Sequence, residues 1–263
     1  MRIIIILFLL FSASQPSHAI QQSYHEVTAR QGAKQPLWLI EPDQASHTLV
    51  LFAGGKGSLK ISGEGIKKQG NFLVRSRNLF VKQGFNVAIV DKPSDQVSLK
   101  GFRTTRAHVK DIAGVVSFLR ERNKNIPVWL VGTSRGTISA TNAAAQLHNA
   151  KGPDGIVLTA SVTETSNNGA DSLHDVDLSK ITVPTLVVHH KHDECYVTPY
   201  TGAIKLIEQL TSVSVKKLKG FIGGKNEGDA CRGKSYHGFT GIEEYVVDDI
   251  AAWIKLTGLL DLK

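Results

Sequence analysis

Five short apolar runs recur along the chain: His47 to Phe52, Asn86 to Val90, Val128 to Val131, Gly155 to Thr159 and Thr185 to His189. A run without alternating polar residues has no face to give to water, so each predicts a strand buried on both sides. Between the runs the apolar residues fall three to four positions apart. Val109, Ile112, Val115, Val116 and Leu119 form one such stripe, Ala203, Ile204, Ile207 and Leu210 a second, and Val246, Val247, Ile250, Trp253 and Ile254 a third. These stripes predict amphipathic helices. Buried strands alternating with such helices call for an α/β fold with a mainly parallel central sheet flanked by helices on both faces. His25 to Ala29 and Pro36 to Ile40 fit an antiparallel hairpin at the start of that sheet.

The chain has 263 residues, 41% hydrophobic and 21% charged. This composition excludes a disordered tail, a fibrous repeat and a disulfide-packed miniprotein. Residues 1–19 read as a secretory signal peptide: Arg2 is a short basic region, Ile3 to Phe11 an apolar stretch, and Ser17-His18-Ala19 a small-x-small cleavage site. The apolar stretch falls well short of the ~20 residues that a membrane span needs, and no cysteine near the cleavage point offers a lipid anchor. The expectation is one domain over residues 20–263, periplasmic or secreted, with no membrane span. The net charge is +8. It is scattered rather than gathered on an aromatic-bearing face, so no nucleic-acid partner is expected.

In sheets of this kind, functional groups collect beyond the carboxyl ends of the strands. There the third run leads into Gly132-Thr133-Ser134-Arg135-Gly136, followed by the small residues Thr137 to Ala145. A strand-to-helix elbow lifts its central hydroxyl clear of the sheet, and the helix N-terminus favours negative charge beside it. Ser134 is the candidate nucleophile. The fifth run ends ahead of Asp193, a carboxylate able to orient an imidazole, and His237 precedes the last helix as candidate general base. Asp171, Asp175 and Asp177 are rival acids in a polar loop, while Glu194 is expected to point away. His189, His190, His192 and Asp193 crowd together, but their spacing misses the H-x-H-x-D-H pattern of metallo-hydrolases, so no metal is expected.

The order Ser, Asp, His, the G-T-S-R-G elbow, the D-x-x-x-V-x-P stretch from Asp193 to Pro199 and the H-G-F of His237 to Phe239 resemble the α/β-hydrolase superfamily. In layout the chain is most similar to small lidless members, the dienelactone-hydrolase-like and peptidase-like esterases, although Ser134 stands where dienelactone hydrolases carry cysteine. The resemblance implies an oxyanion hole from the Arg135 backbone N–H and one N–H of the loop after the third strand. That loop reads Phe52-Ala53-Gly54-Gly55-Lys56-Gly57. Gly55 is the preferred donor, with Gly54 and Lys56 left open, because Ala53 replaces the histidine of the common H-G-G-G pattern.

Cys195 follows the expected acid by two residues and Cys231 precedes the expected base by six. In an oxidising compartment a bridge between them would hold the two loops together. The stretch from Val162 to Ile181 is too short for a separate lid domain. Loops Lys56 to Gly70 and Asp91 to Arg103 are the expected cleft walls, carrying Lys56, Lys60, Lys67, Lys68, Lys92, Lys100 and Arg103 beside Arg135. These are read as solvated surface cations, with a rim for anionic substrates as the sharper alternative. The function expected is cofactor-free hydrolysis of a carboxylic ester, small or polymeric. A peptidase or amidase with the same triad, and a non-catalytic binding protein on this fold, are the alternatives.

Overall fold

A computed structural model describes residues 20–166 and 171–258. The expected signal peptide lies outside the described residues. Strands β1 (Gln21–Arg30) and β2 (Ala33–Glu41) form the anticipated hairpin and lead into β3 (His47–Phe52). A small ribbon, β4 (Ile61–Ser62) and β5 (Gly65–Ile66), and two short helices, α1 (Phe72–Arg75) and α2 (Arg77–Lys82), precede β6 (Phe85–Val90). The chain then alternates through α3 (Arg106–Arg122), β7 (Val128–Thr133), α4 (Gly136–Gln146), β8 (Gly155–Thr159), β9 (Thr185–His190), α5 (Tyr200–Gln209), β10 (Lys216–Phe221) and α6 (Glu243–Gly258).

Eight strands form one sheet in the order β1-β2-β6-β3-β7-β8-β9-β10. The β1–β2 and β2–β6 pairs are antiparallel, and the remaining pairs are parallel. Every residue of β3, β6, β7, β8 and β9 is buried, which is why these strands read as apolar runs. Their side chains alternate between two cores. Val50 and Phe52 pack with α3, α4 and α5 on one face, while Leu49 and Leu51 pack with α1, α2 and α6 on the other.

The order of the strands places the site. After β3 the chain moves to one side to form β6 and then returns to the other to form β7, so the loops leaving β3 and β7 diverge over a crevice at their carboxyl ends. Between β8 and β9 the described residues hold only short 3₁₀ turns, at Leu173–Asp175 and Leu178–Lys180, and no separate lid domain.

Candidate active site

At the end of β7 the backbone turns abruptly into α4. Ser134 is the residue at the bend, with φ of 53°, a left-handed conformation that a serine adopts at a steric cost. Its N–H donates to Thr159 O on neighbouring β8 at 2.9 Å, and its carbonyl accepts from Thr137 N at 3.0 Å and Thr137 Oγ1 at 2.7 Å. These bonds hold the bend. A side chain at Gly136 would run into the Phe52 carbonyl of β3, so the turn can sit this close to the sheet only with glycine there. Gly54, in the loop after β3, comes close from the other side: a Cβ on it would lie 2.8 Å from Ser134 Cβ.

Asp193 follows the end of β9, and the loop that β9 feeds turns back on its carboxylate. Oδ1 accepts from Cys195 N at 3.0 Å, and Oδ2 accepts from Thr198 Oγ1 at 2.9 Å and from His237 Nδ1 at 2.9 Å. Thr198 Oγ1 also lies 3.1 Å from His237 Nδ1. An ionised carboxylate only accepts, so the proton of His237 sits on Nδ1 and Nε2 is left as a bare acceptor. The Asp193 side chain is 0% exposed and that of His237 6%, so the pair is shielded from water.

Ser134 and His237 line one cavity of 440 Å³ together with Gly54, Gly55, Thr133 and Gly238. Among the described residues no hydrogen bond joins Ser134 to His237. Such a contact commonly tightens only when substrate arrives. The Arg135 and Gly55 N–H groups likewise donate to no other group among the described residues, which leaves both for a ligand. Lys56 lines a neighbouring depression rather than this cavity.

The disulfide Cys195–Cys231 is present and ties the acid loop to the loop ahead of His237. Glu194 is turned aside, accepting from Asn226 Nδ2 at 2.9 Å. Of the rival acids, Asp175 caps a 3₁₀ turn through Ser172 N at 2.9 Å and Asp177 pairs with Lys180 at 3.3 Å. Neither Asp171, Asp175 nor Asp177 bonds to His237. The crowded histidines are separately engaged: His190 stacks on Tyr236 with ring centres 4.3 Å apart, and its Nε2 meets Gly223 O at 2.9 Å. His189 is fully buried, and desolvation pushes its pKa down to about 4. Among the described residues no three His, Cys, Asp or Glu side chains converge on one point.

The expected walls differ from those observed. The cavity is closed by Gly70 to Phe72 and by the segment from Glu227 to Lys234, which brings charges of both signs. The Asp91 to Arg103 loop does not reach it. Asp91 turns inward instead and accepts from Leu59 N and Ile61 N at 2.7 Å each, fixing the far end of the loop after β3. Arg103, read as a solvated surface cation of that loop, is 2% exposed. Lys67 is paired with Glu64 at 3.3 Å. The Glu227 to Lys234 wall was missed because it becomes a wall only when the disulfide and β10 fold it across the crevice.

No protein-family model and no curated protein matches the sequence. Solved structures do. A cold-adapted esterase from an Arctic intertidal metagenomic library is 17% identical with a TM-score of 0.60, over 94% of this chain and 99% of that chain. A dienelactone hydrolase from Anabaena variabilis is 16% identical with a TM-score of 0.64, over 90% of this chain and 98% of that one. A lidless α/β serine hydrolase from Xanthomonas campestris is 16% identical with a TM-score of 0.56, over 89% and 97% of the two chains. Sheet order, elbow and these likenesses together show that the chain has the α/β-hydrolase fold, with no separate lid domain among the described residues.

Proposed function

We propose that the protein is an exported serine hydrolase that cleaves carboxylic esters without a cofactor. The observation that carries this reading is the left-handed Ser134 at the β7–α4 elbow, opening into the same cavity as a buried His237 held by Asp193. Ser134 Oγ attacks the ester carbonyl while His237 Nε2 takes its proton. Asp193 holds the Nδ1–H and offsets the imidazolium charge that forms. The Arg135 and Gly55 N–H groups receive the oxyanion, aided by the N-terminus of α4. Collapse releases the alcohol, which takes the proton from His237. Water then attacks the acyl-enzyme with His237 again as base, and the carboxylic acid leaves.

The structural neighbours named as esterases and as a dienelactone hydrolase support an acyl-ester substrate. The signal-like residues 1–19 and the disulfide support export to an oxidising compartment. Among the described residues no helix is long and apolar enough to cross a membrane.

Intact-mass analysis after exposure to a fluorophosphonate probe tests the reading. Wild type is expected to gain one adduct and Ser134→Ala none, with ester turnover lowered by about a thousandfold or more in the variant. Absence of an adduct on folded, oxidised wild type would reject it. Comparing an ester with the matching anilide then separates esterase from amidase.

A further inference from the structure

Arg103 is among the largest fully buried side chains of the molecule, yet among the described residues no carboxylate forms an ion pair with it. Its guanidinium reaches in two directions. Nη2 donates to Ala53 O at 3.0 Å and Nη1 to Ser139 Oγ at 2.6 Å, while Nε is buried without a partner. Ala53 opens the loop after β3, whose glycines face the cavity. Ser139 lies in the first turn of α4, the helix that follows Ser134 and Arg135. The main chain of Arg103 is bound to the same helix, since its carbonyl accepts from Asn142 Nδ2 at 3.0 Å.

The hydrogen bonds continue inward. Ser139 Oγ, which accepts from Arg103, is also hydrogen-bonded to His108 Nε2 at 2.9 Å. Burial, with the nearby Arg103 and Arg30 charges, pushes the His108 pKa down to about 3, so this ring stays neutral. Arg103 itself is lowered to about 9 by burial and by Arg135, with Asp171 opposing, and so stays charged at neutral pH. Burying a guanidinium with no carboxylate in direct contact carries a large desolvation cost. A neutral side chain could fill the space. What it lacks is a rigid fork making charge-assisted bonds to two elements at once.

We propose that Arg103 is a positioning residue: by bonding Ala53 O and Ser139 Oγ together it locks the loop after β3 to α4 and fixes the spacing of the two oxyanion donors carried on them. The role rests on the serine-hydrolase reading above. Donor spacing matters most once the carbonyl oxygen has become an anion, so its loss falls on kcat rather than KM.

The test compares Arg103→Met and Arg103→Lys with wild type, each quantified by fluorophosphonate titration of active serines. Arg103→Met is expected to lower kcat per titrated site about 10- to 100-fold with KM within about threefold. Affinity for a boronic acid that forms an anionic tetrahedral adduct should fall by the same factor, and Arg103→Lys should recover part of the loss. Should Arg103→Met fail to fold, Ser139→Ala, which removes the Nη1 acceptor together with the bond to His108 Nε2, is read in the same way against His108→Phe, which removes the latter bond alone. A variant whose kcat per titrated site is unchanged, or whose loss lies only in KM or in the titratable fraction, overturns the role. Wild type that neither titrates nor hydrolyses an ester overturns the hydrolase reading and this role with it.

Discussion

Thr198 sits where the carboxylate and the imidazole meet, its hydroxyl donating to Asp193 Oδ2 at 2.9 Å and lying 3.1 Å from His237 Nδ1. It gives Oδ2, the oxygen that also meets His237, a second donor. Thr198→Val keeps the volume and removes the donor, so the buried carboxylate loses one of its three hydrogen bonds. Active-site-titrated kinetics should show kcat lowered about tenfold, and urea unfolding a loss of about 1–3 kcal/mol. Thr198→Ser should restore most of both, and unchanged kcat in the valine variant would reduce Thr198 to packing. Ser134, Asp193 and His237 were legible as candidates because each stands just beyond a strand or ahead of a helix, and the structure brings Ser134 and His237 to one cavity with Asp193 buried against His237. Thr198 was not, since its role depends on how the Asp193 to Pro199 loop curls. Arg103 was read as a surface cation because a sequence shows charge but not burial.

The strands legible as continuous apolar runs are those buried on both faces. Strands β3, β6, β7, β8 and β9 appear as apolar runs because water touches neither side of them. Strand β10 escaped notice. It pairs on one side only, with β9, and its Lys-Lys-Leu-Lys-Gly-Phe sequence leaves most residues exposed or half-buried, as suits a sheet edge that must resist further pairing. Helices α1 and α2 are too short, and too closely joined at Ser76, to show a period. The disulfide links two otherwise separate elements, the acid loop and the segment from Asp229 to Lys234 that walls the cavity. The cysteines are 36 residues apart, for which loop closure in the unfolded chain gives about 4 kcal/mol of stabilisation. Replacing both with serine should lower the urea midpoint, and the unfolding free energy by up to that amount. It should also lower kcat, because the wall and the segment ahead of His237 lose their anchor. An unchanged midpoint, with the bridge verified in wild type by non-reducing peptide mapping, would show that the unfolded chain is already constrained there.

Across the molecule the buried histidines set an acid limit. His108 and His189 are 1% and 0% exposed, and desolvation is the main cause holding their pKa values at about 3 and about 4, against 6.5 for an exposed ring. His47 and His190 are displaced in the same direction, also chiefly by burial. As pH falls below about 6.5 the unfolded chain takes up these protons and the folded protein does not. The stability they contribute is therefore complete above pH 6.5 and is lost progressively down to about pH 4 for His189 and about pH 3 for His108. Each fully uncoupled ring steepens the dependence by roughly 1 kcal/mol per pH unit in that window. The net charge of +8 acts in the same direction, since carboxylates that become neutral on acidification leave the lysines and arginines unopposed. Urea midpoints measured from pH 7.5 to 4.5 should fall monotonically. His108→Gln should be less stable than wild type at pH 7.5 yet show a shallower fall, because the variant has one fewer ring for the unfolded state to protonate. A slope identical in wild type and His108→Gln would mean that this ring is solvated or charged in the folded protein, and its bond with Ser139 would have to be redrawn.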